Sequence, residues 1–289
     1  MNPLTWRLRG RVLPLDCPVI IGILNVTPDS FSDGGKFFST DLALERAGRM
    51  VEEGAQILDV GGESTRPQGA VPVDRDEELR RVLPVVRGVR ARYPDIYISV
   101  DTTKSEVAEA VLAEGADIIN DVSAFRLDPR MATVCASAGA GVILMHSRGN
   151  VREMATYIHA VYAEDVAGEV IAELGAAAGR AELAGVAHDS IALDPGVGFA
   201  KRTEHSIAVL ARLERLVELG YPVVVGVSRK RFVGELSGVS APAERVEGTI
   251  GANVMALAAG ARLFRVHDVL AARRALDVAW AIEQSRITV

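Results

Sequence analysis

The sequence predicts an α/β fold, a (β/α)8 TIM barrel with a short N-terminal β-hairpin. Three observations support this prediction. Short apolar runs alternate with helical patterns from one end of the chain to the other. Several of these runs follow a glycine, which can end the preceding helix at low cost. Polar side chains stand at the end of each run, as they do at the active-site face of a barrel.

Eight apolar runs are predicted to be the strands. They cover residues 19–26, 56–61, 97–101, 117–122, 141–146, 191–195, 222–228 and 261–267. Helical patterns fill the intervals, for example at 41–53, 74–92, 104–114, 156–184, 203–219 and 244–259. A doubly wound open sheet is the alternative arrangement of the same alternation.

Local signals mark where these elements begin and end. The segments "EGAQILDV", "EGADIIND", "AGAGVILM" and "AGARLFRV" each place a glycine before a strand. Asp74 and Thr103 are predicted helix N-caps, because each is followed three residues later by a glutamate. Residues 4–15 are predicted to form a hairpin that turns at Gly10-Arg11. The expected organisation is one domain, 1–289, whose segment 1–17 closes the barrel floor.

Composition and charge exclude several classes of function. The net charge of -6 argues against a general nucleic-acid binder, which would need a basic face. Cys17 and Cys135 lack metal-ligand spacing and are expected to be buried free thiols, which fits a reducing cytoplasm. The first ten residues lack the apolar core of a signal peptide, and no apolar run is long enough to span a membrane. A cytoplasmic protein is therefore expected.

Polar residues at the strand ends form the candidate site. They are Asn25, Asp59, Asp101, Asn120, Asp121, His146, Asp194, Ser228, Arg265 and His267. Any one of them alone could be a turn former or a helix cap. Together, carboxylates and an amide can accept bonds from a flat heterocycle, and nearby cations can hold phosphate oxygens. The expected ligand is a small molecule with a polar ring and an anionic group.

Seven segments in order along the chain resemble the motifs of dihydropteroate synthases, enzymes of the folate pathway. They are "GILNVTPDSFSDGG", "DVGGESTRPQG", "ISVDTTK", "ADIINDVSA", "LDPGVGFAK", "GVSRKRFVG" and "GTIGANV…FRVHDV". The resemblance implies that p-aminobenzoate is joined to 6-hydroxymethyl-7,8-dihydropterin diphosphate. The products would be 7,8-dihydropteroate and diphosphate, and Mg²⁺ would accompany the diphosphate. The family is also a sulfonamide target.

The resemblance assigns roles to the residues that match its motifs. Pterin binding is expected of Asp101, Asn120, Met145, Asp194 and Lys230. Diphosphate binding is expected of Asn25, Thr65, Arg265 and His267, with Asn25 also contacting Mg²⁺. The catalytic set is Asp101, Lys230, Arg265 and His267. A solvent-facing side chain is the plainer interpretation of Lys230, although the "SRKR" context favours the functional role.

The p-aminobenzoate site and its covering loops also come from the resemblance. Its expected residues are Phe31, Thr65, Arg66, Pro67, Phe199 and Ser228. Residues 25–35 and 61–69 are expected to be lid loops, with Phe31 closing over the benzoate ring. Alternatively, Phe31 packs only against its own loop. Diphosphate departure is expected to follow an SN1-like path, because the pterin can delocalise the resulting cation.

One segment departs from the family pattern. Residues 145–149 read "MHSRG" where the family shows "MHM", so His146 stays outside the catalytic set. The resemblance also implies a homodimer formed through the last helices, including residues 275–284. Two rival functions remain open, a pterin-dependent methyltransferase and a non-catalytic pterin-binding paralogue. The rivals predict, respectively, a bound methyl-folate and pterin binding without turnover.

Overall fold

The computed structural model of the chain describes residues 4–27, 40–63 and 73–287. The strands in these ranges are β1 (Thr5–Leu8), β2 (Arg11–Pro14), β3 (Val19–Asn25), β4 (Ile57–Gly61), β5 (Tyr97–Asp101), β6 (Ile118–Asp121), β7 (Gly141–Met145), β8 (Ile191–Asp194), β9 (Val224–Val225) and β10 (Leu263–Val266). The helices are α1 (Thr40–Glu52), α2 (Arg75–Arg92), α3 (Ser105–Ala113), α4 (Met131–Ala138), α5 (Val166–Leu183), α6 (Thr203–Leu210), α7 (Glu214–Val217), α8 (Arg231–Ser237), α9 (Val246–Ala258) and α10 (Val269–Ile287).

Strands β3 to β10 form one parallel sheet that curls into a barrel. The strand order is β8-β7-β6-β5-β4-β3-β10-β9, so the first and last strands of the barrel lie side by side. A single bridge between Leu193 and Val223 joins β8 to the β9 edge. The predicted barrel is confirmed, and the open-sheet alternative is wrong.

The core has two layers because successive strand residues point to opposite faces. Ile20 belongs to the layer between the sheet and the surrounding helices. Its neighbour Ile21 belongs to the cluster inside the barrel, together with Ile57 and Ile143. Both faces of the strands are buried, which explains why they are continuous apolar runs rather than alternating ones.

The N-terminal hairpin closes the floor of the barrel. β1 and β2 pair antiparallel, and Trp6 packs with Leu13 into the interior cluster. The indole Nε1 of Trp6 donates to the carbonyl of Ser190 over 2.9 Å. The turn residues are Arg9 and Gly10, at φ 50° and 81°. The predicted turn at Gly10-Arg11 is therefore wrong by one residue, because Arg9 takes the left-handed conformation that usually favours glycine.

The two predicted N-caps have different outcomes. Asp74 caps α2, and its carboxylate accepts a bond from the Glu77 N–H over 2.8 Å. Thr103 is not the cap of α3, since that helix begins after Lys104 without a side-chain cap. Asp128 supplies the missing acceptor from another loop, taking the Ser105 N–H over 2.7 Å.

Two predicted helices differ in extent from those observed. The helix predicted at 156–184 begins only at Val166, where Asp165 caps it by accepting from the Gly168 N–H. The helix predicted at 203–219 is divided into α6 and α7 by turn residues. Cys17 and Cys135 are free as predicted, but Cys17 is only partly buried. Among the described helices, none combines the length and apolar content that crossing a bilayer demands.

Candidate active site

The described candidate residues lie at the carboxyl ends of the barrel strands or in the loops directly after them. They are Asn25, Asp101, Asn120, Met145, Asp194, Phe199, Ser228, Lys230, Arg265 and His267. Strand register places Asp101 beside Asn120, and Met145 beside Asp194. Parallel strands end on the same face of a barrel, so these distant sequence positions share one mouth.

Arg265 is the centre of a charged network across this mouth. Its Nε donates to Asp59 Oδ2 over 2.6 Å, and its Nη2 donates to Asp101 Oδ2 over 3.1 Å. Asn120 Nδ2 donates to the same Asp59 oxygen over 3.2 Å. Ser99 Oγ donates to the other Asp59 oxygen over 2.5 Å. Asp59 thus holds both the Arg265 guanidinium and the Asn120 side-chain amide in place in the mouth.

Asp59 had no assigned role in the sequence, where it is only one polar strand end among several. The structure buries its side chain completely and places three donors around it. Burial raises the pKa of Asp101, and the nearby Arg265 guanidinium opposes that rise. Burial acts to lower the pKa of Arg265, but the Asp59 and Asp101 carboxylates outweigh it and hold that pKa above its ordinary value. Arg265 therefore stays charged in a fixed orientation.

Lys230 and Asp194 meet at a second corner of the mouth. Gly226 lies between them, and a β-carbon built on it would stand 3.5 Å from Asp194 Oδ2 and 3.9 Å from Lys230 Nζ. The Lys230 ammonium donates to the Val197 carbonyl and lies 4.7 Å from the centroid of the Phe199 ring. The Lys230 ammonium is therefore bonded within the mouth, while the residue as a whole is partly buried. Burial lowers the pKa of Lys230 to about 8, against the attraction of Asp194.

Ser228 and His267 form a third corner. Ser228 Oγ lies 3.0 Å from His267 Nδ1 and accepts the His267 backbone N–H over 3.1 Å. Arg46 in α1 donates to the His267 carbonyl over 2.9 Å. Arg229 forms an ion pair with Asp268, which ties the loop after β9 to the loop after β10. These bonds hold the His267 ring at the end of β10.

Asn25 and Asp101 stand on either side of Gly61 at the end of β4. A β-carbon at Gly61 would lie 3.5 Å from Asn25 Oδ1 and 3.7 Å from Asp101 Cβ. Within the described ranges no group of three or more His, Cys, Asp or Glu could hold a metal ion. Mg²⁺ commonly takes one or two protein oxygens together with substrate phosphates. Asn25 Oδ1 fits that kind of site, beside a glycine that leaves space.

Met145 and Phe199 supply apolar surface next to the polar corners. Met145 is buried with Val122 and Met154, and Phe199 packs against this small cluster. Asp121, another polar strand end, accepts bonds from the backbone N–H and the hydroxyl of Ser123. That contact makes Asp121 a turn former, in agreement with its plainer interpretation.

The atypical segment 145–149 bonds within the protein. Ser147 Oγ donates to the Val122 carbonyl over 2.6 Å. Arg148 pairs with Glu169 and Glu173 and stacks 4.1 Å from the centroid of the Tyr162 ring. His146 is buried against Lys201 and Glu173, and burial lowers its pKa to about 4. Its place outside the catalytic set agrees with these contacts.

Four predicted p-aminobenzoate residues, Phe31, Thr65, Arg66 and Pro67, lie outside the described residues, as does most of the two predicted lid loops. The described residues Glu63 and Val73, which flank residues 64–72, are bonded to each other, and Glu63 is also bonded to Lys104 after β5. Glu63 Oε1 accepts the Val73 N–H over 3.1 Å. Lys104 joins Glu63 Oε2 to the buried Glu78 over 2.7 and 2.6 Å.

The comparisons with known proteins agree on one family. Residues 21–267 match the family described as "Pterin binding enzyme". A "Dihydropteroate synthase" of Synechocystis sp. is 45% identical, with 91% of this chain and 89% of that protein covered. An "Inactive dihydropteroate synthase 2" of Mycobacterium leprae is 42% identical, with 96% and 95% covered.

Solved structures give the same result at the level of the fold. Dihydropteroate synthase from Xanthomonas albilineans in complex with 7,8-dihydropteroate superposes with a TM-score of 0.86. It is 42% identical, and the match covers 96% of this chain and 98% of that one. At this identity and coverage, the likeness extends to the family as well as to the barrel.

Proposed function

Because this chain belongs to the pterin-binding enzymes, and among them to the dihydropteroate synthases, we propose that its barrel mouth performs their condensation with the residue roles given below. The substrates are 6-hydroxymethyl-7,8-dihydropterin diphosphate and p-aminobenzoate, and the products are 7,8-dihydropteroate and diphosphate. The observation that carries the role assignment is the bonded network of Arg265, Asp59, Asp101 and Asn120.

The pterin ring is recognised by acceptors on one side and an ammonium on the other. Asp194 and Asn120 accept bonds from the amino and ring N–H groups, which present several donors on one edge. Lys230 donates to the carbonyl side of the ring. Met145 supplies an apolar contact, since it is buried beside Phe199. Burial raises the pKa of Asp194, and the nearby Lys230 opposes that rise.

The diphosphate is held beside the pterin corner, at the ends of β3 and β10, with Mg²⁺ as cofactor. Arg265 and His267 donate to its oxygens, and Asn25 supplies a carbonyl oxygen for Mg²⁺. Support comes from the preorganisation of Arg265, whose two carboxylate partners fix the guanidinium before a ligand arrives. Mg²⁺, when bound, neutralises charge on the leaving diphosphate. Thr65 joins this set on the strength of the motif alone.

The reaction follows an SN1-like path in which the exocyclic C–O bond breaks before the new C–N bond forms. Departure of diphosphate takes the bonding electron pair and leaves a cation that the pterin ring delocalises. Asp101 lies against the ring and stabilises that positive charge. The neutral arylamine then attacks and releases one proton. Because an arylamine is nucleophilic when neutral, the protein mainly holds charge and geometry.

Asp101→Asn is expected to lower turnover more than pterin affinity. The substitution removes negative charge where the cation develops, while the size of the side chain is kept. We expect kcat to fall roughly 100-fold with a change of less than about threefold in pterin diphosphate dissociation. Single-turnover kinetics and calorimetric titration measure the two quantities. A loss confined to affinity contradicts the assigned role.

Phe31→Ala tests the proposed lid over p-aminobenzoate. Removing the ring exposes the benzoate to water and deletes its aromatic contact. We expect p-aminobenzoate affinity, measured in the presence of pterin and diphosphate, to fall by roughly tenfold or more. Affinity for pterin diphosphate itself should stay near that of the unaltered chain. Equal losses of affinity for both ligands contradict the lid assignment.

Arg66, Pro67, Phe199 and Ser228 complete the proposed p-aminobenzoate site.

Product formation is the decisive test of the function. The purified protein is mixed with pterin diphosphate, with and without p-aminobenzoate and with and without Mg²⁺. Diphosphate release and dihydropteroate are then measured. Product that needs both substrates and Mg²⁺ supports the proposal. Pterin binding without product supports the non-catalytic alternative, for which the inactive relative gives precedent. A bound methyl-folate with no diphosphate requirement supports the methyltransferase alternative.

Three further attributes are proposed with the function. A homodimer formed through the last helices is supported by exposed apolar side chains on α9 and α10, namely Met255, Val278 and Ile282. Cytoplasmic location is supported by the free cysteines. Sulfonamide binding at the p-aminobenzoate site follows from the family, and inhibition of product formation by a sulfonamide tests it.

A further inference from the structure

Lys201 is a lysine buried beneath the pterin corner of the mouth. Only 1% of the surface of Lys201 is exposed to solvent, which is rare for a lysine. Its Nζ lies 2.8 Å from His146 Nδ1 and 3.1 Å from the carbonyl oxygens of Gly196 and Phe199. Three acceptors therefore surround one nitrogen.

The hydrogen-bond pattern fits a charged Lys201 beside a neutral His146. An ammonium has three donors, which matches the three acceptors. His146 then accepts at Nδ1 and carries its proton on Nε2, which donates to Glu173 Oε2 over 3.0 Å. Burial lowers the pKa of Lys201, and the nearby Asp194 carboxylate opposes that change. A charged Lys201 beside a neutral His146 leaves every one of these bonds satisfied.

The segment that Lys201 holds, the turn 196–199, is shared by both halves of the pterin corner. The Gly196 N–H donates to Asp194 Oδ1 over 2.7 Å. The Val197 carbonyl accepts from Lys230 Nζ, and the Phe199 ring lies beneath the same ammonium. Lys201 bonds the first and last carbonyls of the turn, so one side chain fixes the backbone that orients Asp194 and Lys230.

We infer that Lys201 is a positioning residue of the pterin site, acting through the turn 196–199 rather than by touching substrate. The inference rests on the proposed pterin-binding roles of Asp194 and Lys230. It adds a specific consequence, which is that loss of the Lys201 donors weakens recognition of the ring and leaves recognition of the diphosphate intact. The described diphosphate residues, Asn25, Arg265 and His267, lie on β3 and β10 or in the loop after β10, outside this turn.

Lys201→Met tests the inference because methionine keeps an unbranched apolar stem and removes all three donors. We expect affinity for 6-hydroxymethyl-7,8-dihydropterin to fall by roughly tenfold or more. Affinity for its diphosphate should fall by the same factor. Inhibition by inorganic diphosphate with Mg²⁺ should be unchanged. Lys201→Gln, whose amide retains two donors, should recover part of the pterin affinity and provides a second variant if the methionine protein folds poorly.

Leu13→Ala is the matched control for general loss of stability. Leu13 is a buried floor residue in β2, at the end of the barrel opposite the mouth. Its truncation should lower the melting temperature without weakening pterin binding. Pterin affinity in Lys201→Met equal to that of the unaltered chain overturns the inference, as does an equal affinity loss in Leu13→Ala. If the unaltered chain binds neither 6-hydroxymethyl-7,8-dihydropterin nor its diphosphate, the proposed function itself is overturned, and the inference with it.

Discussion

Arg265→Met is expected to abolish most activity and to destabilise the fold. The guanidinium bonds Asp59 and Asp101, and Asp59 is completely buried. Removing the guanidinium leaves the buried Asp59 carboxylate without its cation, which costs about 3 kcal/mol or more of unfolding free energy. It also removes a fixed donor for the diphosphate, so product formation should fall by roughly 100-fold or more. Urea denaturation and steady-state kinetics measure the two effects.

The double variant Asp59→Asn/Arg265→Met separates stability from activity. It removes the uncompensated charge, so we expect much of the lost stability to return while activity stays low. A double variant no more stable than Arg265→Met contradicts the charge argument. If Arg265→Met forms product at a rate within about threefold of the unaltered chain, the diphosphate role of Arg265 is contradicted.

The stability loss in Arg265→Met should also depend on pH. Burial raises the folded pKa of Asp101 above its unfolded value, so folding makes this carboxylate easier to protonate than it is in the unfolded chain. Such a group contributes stability at low pH that is lost as pH rises through the folded pKa. Without Arg265 this rise in pKa is unopposed. The variant should therefore lose less stability at pH 5 than at pH 8.

Gly196→Ala is expected to lose folding stability, whereas Gly226→Ala is expected to lose pterin affinity. A β-carbon at Gly196 would lie 1.9 Å from the His146 carbonyl oxygen, and Gly196 has a φ of +63°. A backbone oxygen cannot move aside cheaply, and left-handed φ is strained for alanine. We expect a loss of more than about 4 kcal/mol of unfolding free energy, or failure to accumulate folded protein.

Gly226→Ala should instead fold and bind pterin poorly. The contacts of its β-carbon would be ordinary ones of 3.5 Å or more, with no positive φ to strain. We expect a stability change below about 1 kcal/mol. The methyl group would stand between Asp194 and Lys230, so pterin affinity should fall by roughly tenfold or more. Denaturation and calorimetric titration of both variants provide the comparison, and unchanged pterin affinity in Gly226→Ala contradicts the proposed ring position.

The barrel and the strand-end residues could be predicted because their signals are local. Continuous apolar runs, glycines before strands and polar residues after them all lie within short stretches of sequence. Asp74 was predictable as a cap for the same reason, since its partner Glu77 is three residues away. Thr103 misled because the acceptor for α3 is Asp128, 23 residues from Ser105.

Asp59 and Lys201 could not be assigned from the sequence because their partners are remote. Asp59 bonds Arg265 across 206 residues, and Lys201 bonds His146 across 55. An aspartate at the end of a strand usually belongs to a turn, and the side chain of a lysine usually faces solvent. Only the folded arrangement distinguishes these two from the common cases. The glycine-rich segment before Lys201 is a local signal, but it does not reveal the buried contact.

The floor hairpin has a consequence for biosynthesis. Trp6 leaves the ribosome early, yet its bond partner Ser190 is made 184 residues later. β3 likewise pairs with β10, the last strand of the barrel to be synthesised. During translation β3 therefore has an open edge until residues 263–266 emerge, and unpaired edges are where nascent chains associate wrongly. A truncation before β10 would leave β3 paired with β4 on one side only, with its other edge unpaired.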